Sequence, residues 1–174
     1  MNSLNSKTIA FTGHRFIPFE RQPMLKNLLK RSIENVYKQG YYTYYCGMAI
    51  GFDLLAAELI LSMKEQGYPN LKLIAVVPYR NQSEKFSQRD KQRYNNALCK
   101  AEKVIILSEN YTPKCFLQRN DYMLNHASCV FAYLSRTDRG GTYYTCKKAE
   151  DRRISVVNFF LEQQFKINNN HITK

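Results

Sequence analysis

Six short apolar runs recur along the chain, each separated from the next by a stretch in which apolar residues return every three or four positions. The runs at 8–12, 42–46, 71–77, 103–107, 129–134 and 154–159 are nearly continuous in hydrophobicity and rich in β-branched or aromatic side chains. That is how strands buried on both faces read, whereas strands with one wet side alternate. Segments 22–39, 51–66, 83–100, 115–126 and 142–152 carry the helical period. In the first of them Leu25, Leu28, Leu29, Ile33, Val36 and Tyr37 share a face. Gly40 and Gly67 are placed to stop the first two helices, and Pro78 halts the third strand.

Strand and helix in regular succession imply an α/β architecture, a mainly parallel, doubly wound sheet of five to six strands with helices on both faces. Right-handed crossovers deliver every strand-to-helix turn to one edge of such a sheet. Ligands bind outside that edge, near the point where strand order reverses. The turns at 12–15, 47–53, 78–80 and 139–142 are therefore expected to converge.

A chain of 174 residues fits one domain, here expected over 1–162, with a polar, flexible tail at 163–174. A hydrophobic share of 44% and an aromatic share of 13% belong to a packed globule and exclude collagen-like or low-complexity chains. The net charge of +12 draws anions, whether nucleotides, nucleic acid or lipid headgroups, without choosing among them. Five cysteines, an odd number with no CxxC spacing, are expected to be reduced thiols of a cytoplasmic protein. The first residues lack the basic start and apolar run of a signal peptide. No apolar stretch approaches the length that spans a bilayer, so no membrane partner is expected.

The candidate chemistry lies in the turns. Gly140, Gly141 and Thr142, with Thr145 three residues on, form the best phosphate cradle: two residues without Cβ let backbone N–H groups gather where a helix begins. Arg136 or Arg139 adds charge beside it. In the turn from Gly47 through Met48 to Gly51 and Asp53, glycines permit close backbone approach by a ligand, and Asp53 suits ribose hydroxyls or caps the helix. This turn has neither the GxGxxG spacing nor a Walker lysine. Thr12, Gly13, His14 and Arg15 end the first strand, with Arg15 an anion clamp. Pro78, Tyr79 and Tyr133 sit at strand ends, where the tyrosines can stack on a base. Arg119, Asn120 and Asp121 lie in the fourth helix, and Lys85, Arg89 and Arg93 make a basic stripe on the third. His14 and Cys46 are metal-ligating types, but two ligands make no site, so no metal is expected and no cofactor is required.

These motifs resemble those of the SLOG superfamily, the Rossmann-like group that includes DprA and the LOG cytokinin-activating enzymes, and within it the YpsA-like proteins. The likeness spans about residues 8–160. It rests on the first-strand turn from Phe11 to Arg15, the second-strand turn from Cys46 to Gly51 with the helix that follows, the Arg119–Met123 segment, and Gly140-Gly141-Thr142 with Thr145. The resemblance implies a protein that senses or regulates through a nucleotide-derived ligand, an ADP-ribose- or NAD-like molecule. It also offers two alternatives: a nucleoside-monophosphate phosphoribohydrolase of the LOG kind, and a DprA-like adaptor for single-stranded nucleic acid. LOG enzymes pair their arginine with a glutamate just after the glycine turn. Here no carboxylate follows until Glu150, which leaves Arg119, Asp53 and Asp121 as the catalytic candidates. A homo-oligomer is compatible with all three readings.

Overall fold

The structure, a computed structural model, describes residues 7–135 and 138–161. Six strands, β1 Thr8–Gly13, β2 Thr43–Cys46, β3 Lys72–Val77, β4 Lys103–Ile106, β5 Cys129–Tyr133 and β6 Ser155–Asn158, alternate with five helices. These are α1 Gln22–Tyr37, α2 Phe52–Glu65, α3 Gln88–Lys100, α4 Cys115–His126 and α5 Gly141–Asp151. Every expected element is present. The third helix starts at Gln88, five residues later than its apolar period suggested. Ser87 caps it, its hydroxyl accepting the Asp90 N–H at 3.1 Å, while 83–86 run as turns. The tail at 163–174 lies outside the described residues, as does Arg136.

All strand pairs are parallel, in the order β4-β3-β2-β1-β5-β6. This is the α/β Rossmann-like arrangement. The chain steps outward from β1 to β4, then returns to lay β5 on the other side of β1. The order therefore reverses between β1 and β5, whose ends are level, Gly13 pairing with Tyr133. A crevice must open there, because the segments leaving β1 and β5 diverge to opposite faces.

The faces follow from the alternation of side chains along each strand. Ile9 and Phe11 of β1, Tyr44 of β2 and Phe131 of β5 point toward α1, α2 and α3, where Phe11 stacks on Tyr44 at 5.5 Å and meets Phe52 edge-on at 6.1 Å. Ala10, Val76, Val130 and Ala132 point toward α4 and α5, packing on Met123, Leu124, Cys146 and Ala149. The inner strands β1, β3 and β5 are buried on both faces, while β2 leaves Thr43 and Tyr45 half-buried on one. The edge strand β4 is not buried in this way, and Val104 and Ile106 keep over a third of their surface. Among the described residues no helix is long and apolar enough to cross a membrane.

Candidate functional site

The crevice at the β1–β5 switch is a cleft of about 370 Å³. Four segments line it: the end of β1 with Thr12, Gly13, His14 and Arg15; Ala49 and Asp53 around the start of α2; Phe116, Leu117, Arg119, Asn120 and Met123 of α4; and Gly141 and Thr142 of α5. Three of the four expected turns thus meet. The turn at 78–80 stands aside: Pro78 is buried and Tyr79 packs its ring against Tyr111 and Phe116 without lining the cleft.

The start of α5 is the open one. Gly140 holds the N-cap position at φ 102°, and no side chain caps the helix. Among the described residues nothing lies within 4 Å of where a Cβ of Gly140 would stand, and the nearest atom to that of Gly141 is Asn120 Nδ2 at 3.7 Å. Among the described residues no side chain covers the first amides of the helix, which border the cleft with the positive end of its dipole. Thr142 is buried at the cleft wall. Thr145 is fully buried and donates its hydroxyl to Gly141 O at 2.8 Å, so it stiffens the first turn and turns away from a ligand. Arg139 is exposed beside Asp138 and does not line the cleft.

The start of α2 is closed by the protein itself. Phe52 N donates to His14 O at 3.1 Å, Leu54 N to Ala49 O at 3.1 Å, and Ala49 N to Asp53 Oδ2 at 3.2 Å. The space at the glycines is taken as well. A Cβ on Gly13 would strike the Phe52 side chain, one on Gly51 the carbonyls of His14 and Arg15, and one on Gly47 the Arg119 guanidinium. Backbone approach at these three glycines thus serves packing between β1, α2 and α4, where the sequence suggested a ligand. Met48, at φ 57°, is wholly buried.

A buried ion pair spans the cleft floor. Arg119 donates through Nη1 to Gly47 O and through Nε to Asn120 Oδ1 at 2.8 Å, and its Nη1 lies 3.9 Å from Asp53 Oδ2. Gln82 Nε2 reaches the same Gly47 carbonyl at 3.0 Å. Asp53 and Arg119 are only 4% and 7% exposed. Asp53 Oδ1 is buried and has no hydrogen-bond partner among the described residues. Burial pushes the Asp53 carboxyl up to about 6, against the downward pull of Arg119, the Ala49 N–H and Arg15. The Cys46 thiol donates to Asp53 O at 3.3 Å, and burial first, then Asp53, hold it well above the usual thiol range.

Other candidates are drawn into structural work. Asp121 is held by Lys148 Nζ at 2.7 Å and the Tyr144 hydroxyl at 3.0 Å, between α4 and α5 and away from the cleft lining, which removes it as an acid or base there. Tyr133 is buried and stacks on Phe52 at 6.0 Å, so it offers no platform to a base. Arg93 leaves the basic stripe to grip Glu58 and Asp90. His14 accepts the Ser135 N–H through Nε2 at 2.8 Å, tying the β1 turn to the β5 turn. Among the described residues no three His, Cys, Asp or Glu side chains gather into a metal-binding group. Sequence reading missed Gln82 and Phe116. For Phe116 a signal existed, since it precedes Arg119 by three residues on a helix and so shares its face.

The family model YpsA, described as the YspA SLOG family, matches residues 11–166. A UPF0398 protein of Bacillus pumilus is 25% identical over 156 residues, 83% of this chain and 82% of that protein. The UPF0398 protein YpsA of Bacillus subtilis is 24% identical over 158 residues, 84% of this chain and 86% of that one. Among solved structures, DNA processing protein A from Helicobacter pylori, described for its single-stranded DNA binding mode, superposes with a TM-score of 0.58 at 17% identity. That match covers 91% of this chain and 72% of the other, and it speaks to the fold. The reversal of strand order beside β1, the glycine start of α5 and the matched span lead to one conclusion: the chain belongs to the YpsA family of the SLOG superfamily.

Proposed function

We propose that the cleft binds a nucleotide-derived ligand, its phosphate at the start of α5 and a sugar hydroxyl on Asp53, and that the protein acts as a sensor or regulator through it. The single observation that carries this reading is that the first turn of α5 borders the same cleft as Asp53, whose buried Oδ1 has no hydrogen-bond partner among the described residues. Amides at a helix start favour an anion, and a buried acceptor without a donor favours a ligand that brings an O–H or N–H. Arg15, exposed at the rim, adds positive charge. A phosphorylated sugar bonded to a base, as in ADP-ribose or NAD, supplies both features in one molecule.

The test is a thermal-shift and calorimetric panel of nucleotides, with the variant Gly141→Asp. A Cβ there is in ordinary contact with Asn120 Nδ2 at 3.7 Å, and the aspartate charge suits the helix start while competing with a phosphate. A nucleotide is expected to raise Tm, by about 2.7 kcal/mol of added stability at a hundredfold excess over Kd. G141D should abolish that gain and leave the unliganded protein as stable as before. No response to any nucleotide would overturn the reading.

One observation favours a second reading, an N-glycosidic hydrolase: Asp53, pushed up to about 6 beside buried Arg119, is a carboxyl that can hold a proton for a departing base. Release of free base from nucleoside monophosphates, lost in Asp53→Asn while binding persists, would establish it. Silence across the panel would remove it.

A further inference from the structure

We infer that Phe116 is the stacking surface for an aromatic base, so that the ligand of this cleft is an intact nucleotide and not a sugar phosphate or a polyphosphate. This rests on the ligand-binding reading above and narrows its substrate class. Three rings border or line the cleft wall with different freedom. Phe11 is wholly buried, and His14 is held by the Ser135 N–H, whereas Phe116 is half-buried and keeps surface toward the cleft. Its ring is backed by two others, Tyr79 at 6.1 Å and Tyr111 at 6.4 Å, which fix its orientation. Leu117, 38% exposed, extends the apolar wall.

Two cations crowd this ring. The Arg15 guanidinium stands 5.4 Å and that of Arg119 5.9 Å from its centre. A ligand carrying only phosphate would balance the charges yet leave the phenyl ring and Leu117 wet. An apolar ligand would cover the ring yet leave the exposed Arg15 charge beside it unmatched. A planar base joined to a phosphate meets both demands, because the base stacks on the Phe116 ring while the anion takes the positive field of the guanidiniums. The start of α5 and Phe116 belong to one cleft of about 370 Å³, within the size range of small-ligand sites.

The experiment is calorimetry on the full chain with the four ribonucleoside monophosphates, ADP-ribose and ribose phosphate, repeated on Phe116→Leu and Phe116→Tyr. At least one base-bearing ligand is expected to bind about 10-fold or more tightly than ribose phosphate. F116L should erase that preference without changing the affinity for ribose phosphate, and F116Y should restore it. Equal affinity of the wild-type protein for ribose phosphate and every nucleotide overturns the inference while leaving the phosphate site standing. So does an equal loss for both ligand types in F116L. If F116L does not fold, Phe116→Met, which also removes the ring, takes its place under the same criteria. Binding of neither class by the wild-type protein overturns the ligand-binding reading itself, and this inference with it.

Discussion

Asp53 is where the sequence and the fold pull hardest against each other. A carboxylate at the start of α2 is favoured by the helix dipole and accepts the Ala49 N–H, yet the fold also buries it beside Cys46 and Arg119. Burial prevails and raises its pKa from an ordinary 3.8 to about 6. The sign of the consequence follows from linkage. With the folded value above the unfolded one, the native state holds the proton longer. The contribution of Asp53 to stability is therefore fullest below about pH 3.8 and is lost as pH rises through 6, by on the order of 3 kcal/mol. Asp53→Asn cannot ionise and lacks this decline. The stability difference between variant and wild type, measured by urea unfolding at several pH values, should grow in the variant's favour between pH 4 and pH 7. A difference that is flat with pH would contradict the burial argument. A ligand donor on Oδ1 would act the other way, holding Asp53 ionised, so binding should release a proton near pH 6.

At the scale of elements, two helices start with glycine for different reasons. Gly51, at φ 84°, lies under the carbonyls of His14 and Arg15, so α2 is pressed onto the β1 turn. Gly140, at φ 102°, has nothing within 4 Å of its Cβ position among the described residues. Alanine at Gly51 therefore meets both backbone strain and a collision with main chain, a loss of about 2–4 kcal/mol. Alanine at Gly140 meets strain alone, about 1–2 kcal/mol. Denaturant unfolding of the two variants should rank them in that order, and equal losses would show that the α2 contact is not tight. Both starts look alike in sequence, a strand followed by glycine and a helical period. The phosphate-cradle expectation at 140–142 and the closed turn at 47–53 differ only in what another element places in front of them, His14 and Arg119 in the second case.

For the whole molecule, the charge of +12 acts in two opposite directions. Much of the acid is already committed to ion pairs, such as Arg80–Glu109, Lys100–Glu65 and Lys148–Asp121. Self-repulsion among the remaining cations opposes the compact state, and salt screens it. Raising ionic strength from about 0.05 M to 0.5 M should therefore raise the Tm of the unliganded protein. The same change should weaken nucleotide binding, chiefly by slowing association with the Arg15 rim. Salt that left both quantities unmoved would show that the charge is spread too evenly to create a field at the cleft.

What the sequence determined by itself is local. Continuous apolar runs specify strands buried on both faces, three-to-four spacing specifies the helices, and Gly140-Gly141-Thr142 marks an uncapped helix start, because each depends on backbone sterics and near neighbours. Alternation of strands and helices further implies parallel strands with their turns on one edge. Only the tertiary structure decided which turns face which. Returning β5 to the side of β1 opens the cleft, sets Arg119 against Gly47, 72 residues away, and packs Tyr133 onto Phe52 instead of a ligand. The same return brings Phe116 to the cleft wall, leaves Tyr79 behind it, and strips water from Asp53. Burial and pairing at such a site are set by contacts between distant segments, and no periodicity along one segment encodes them.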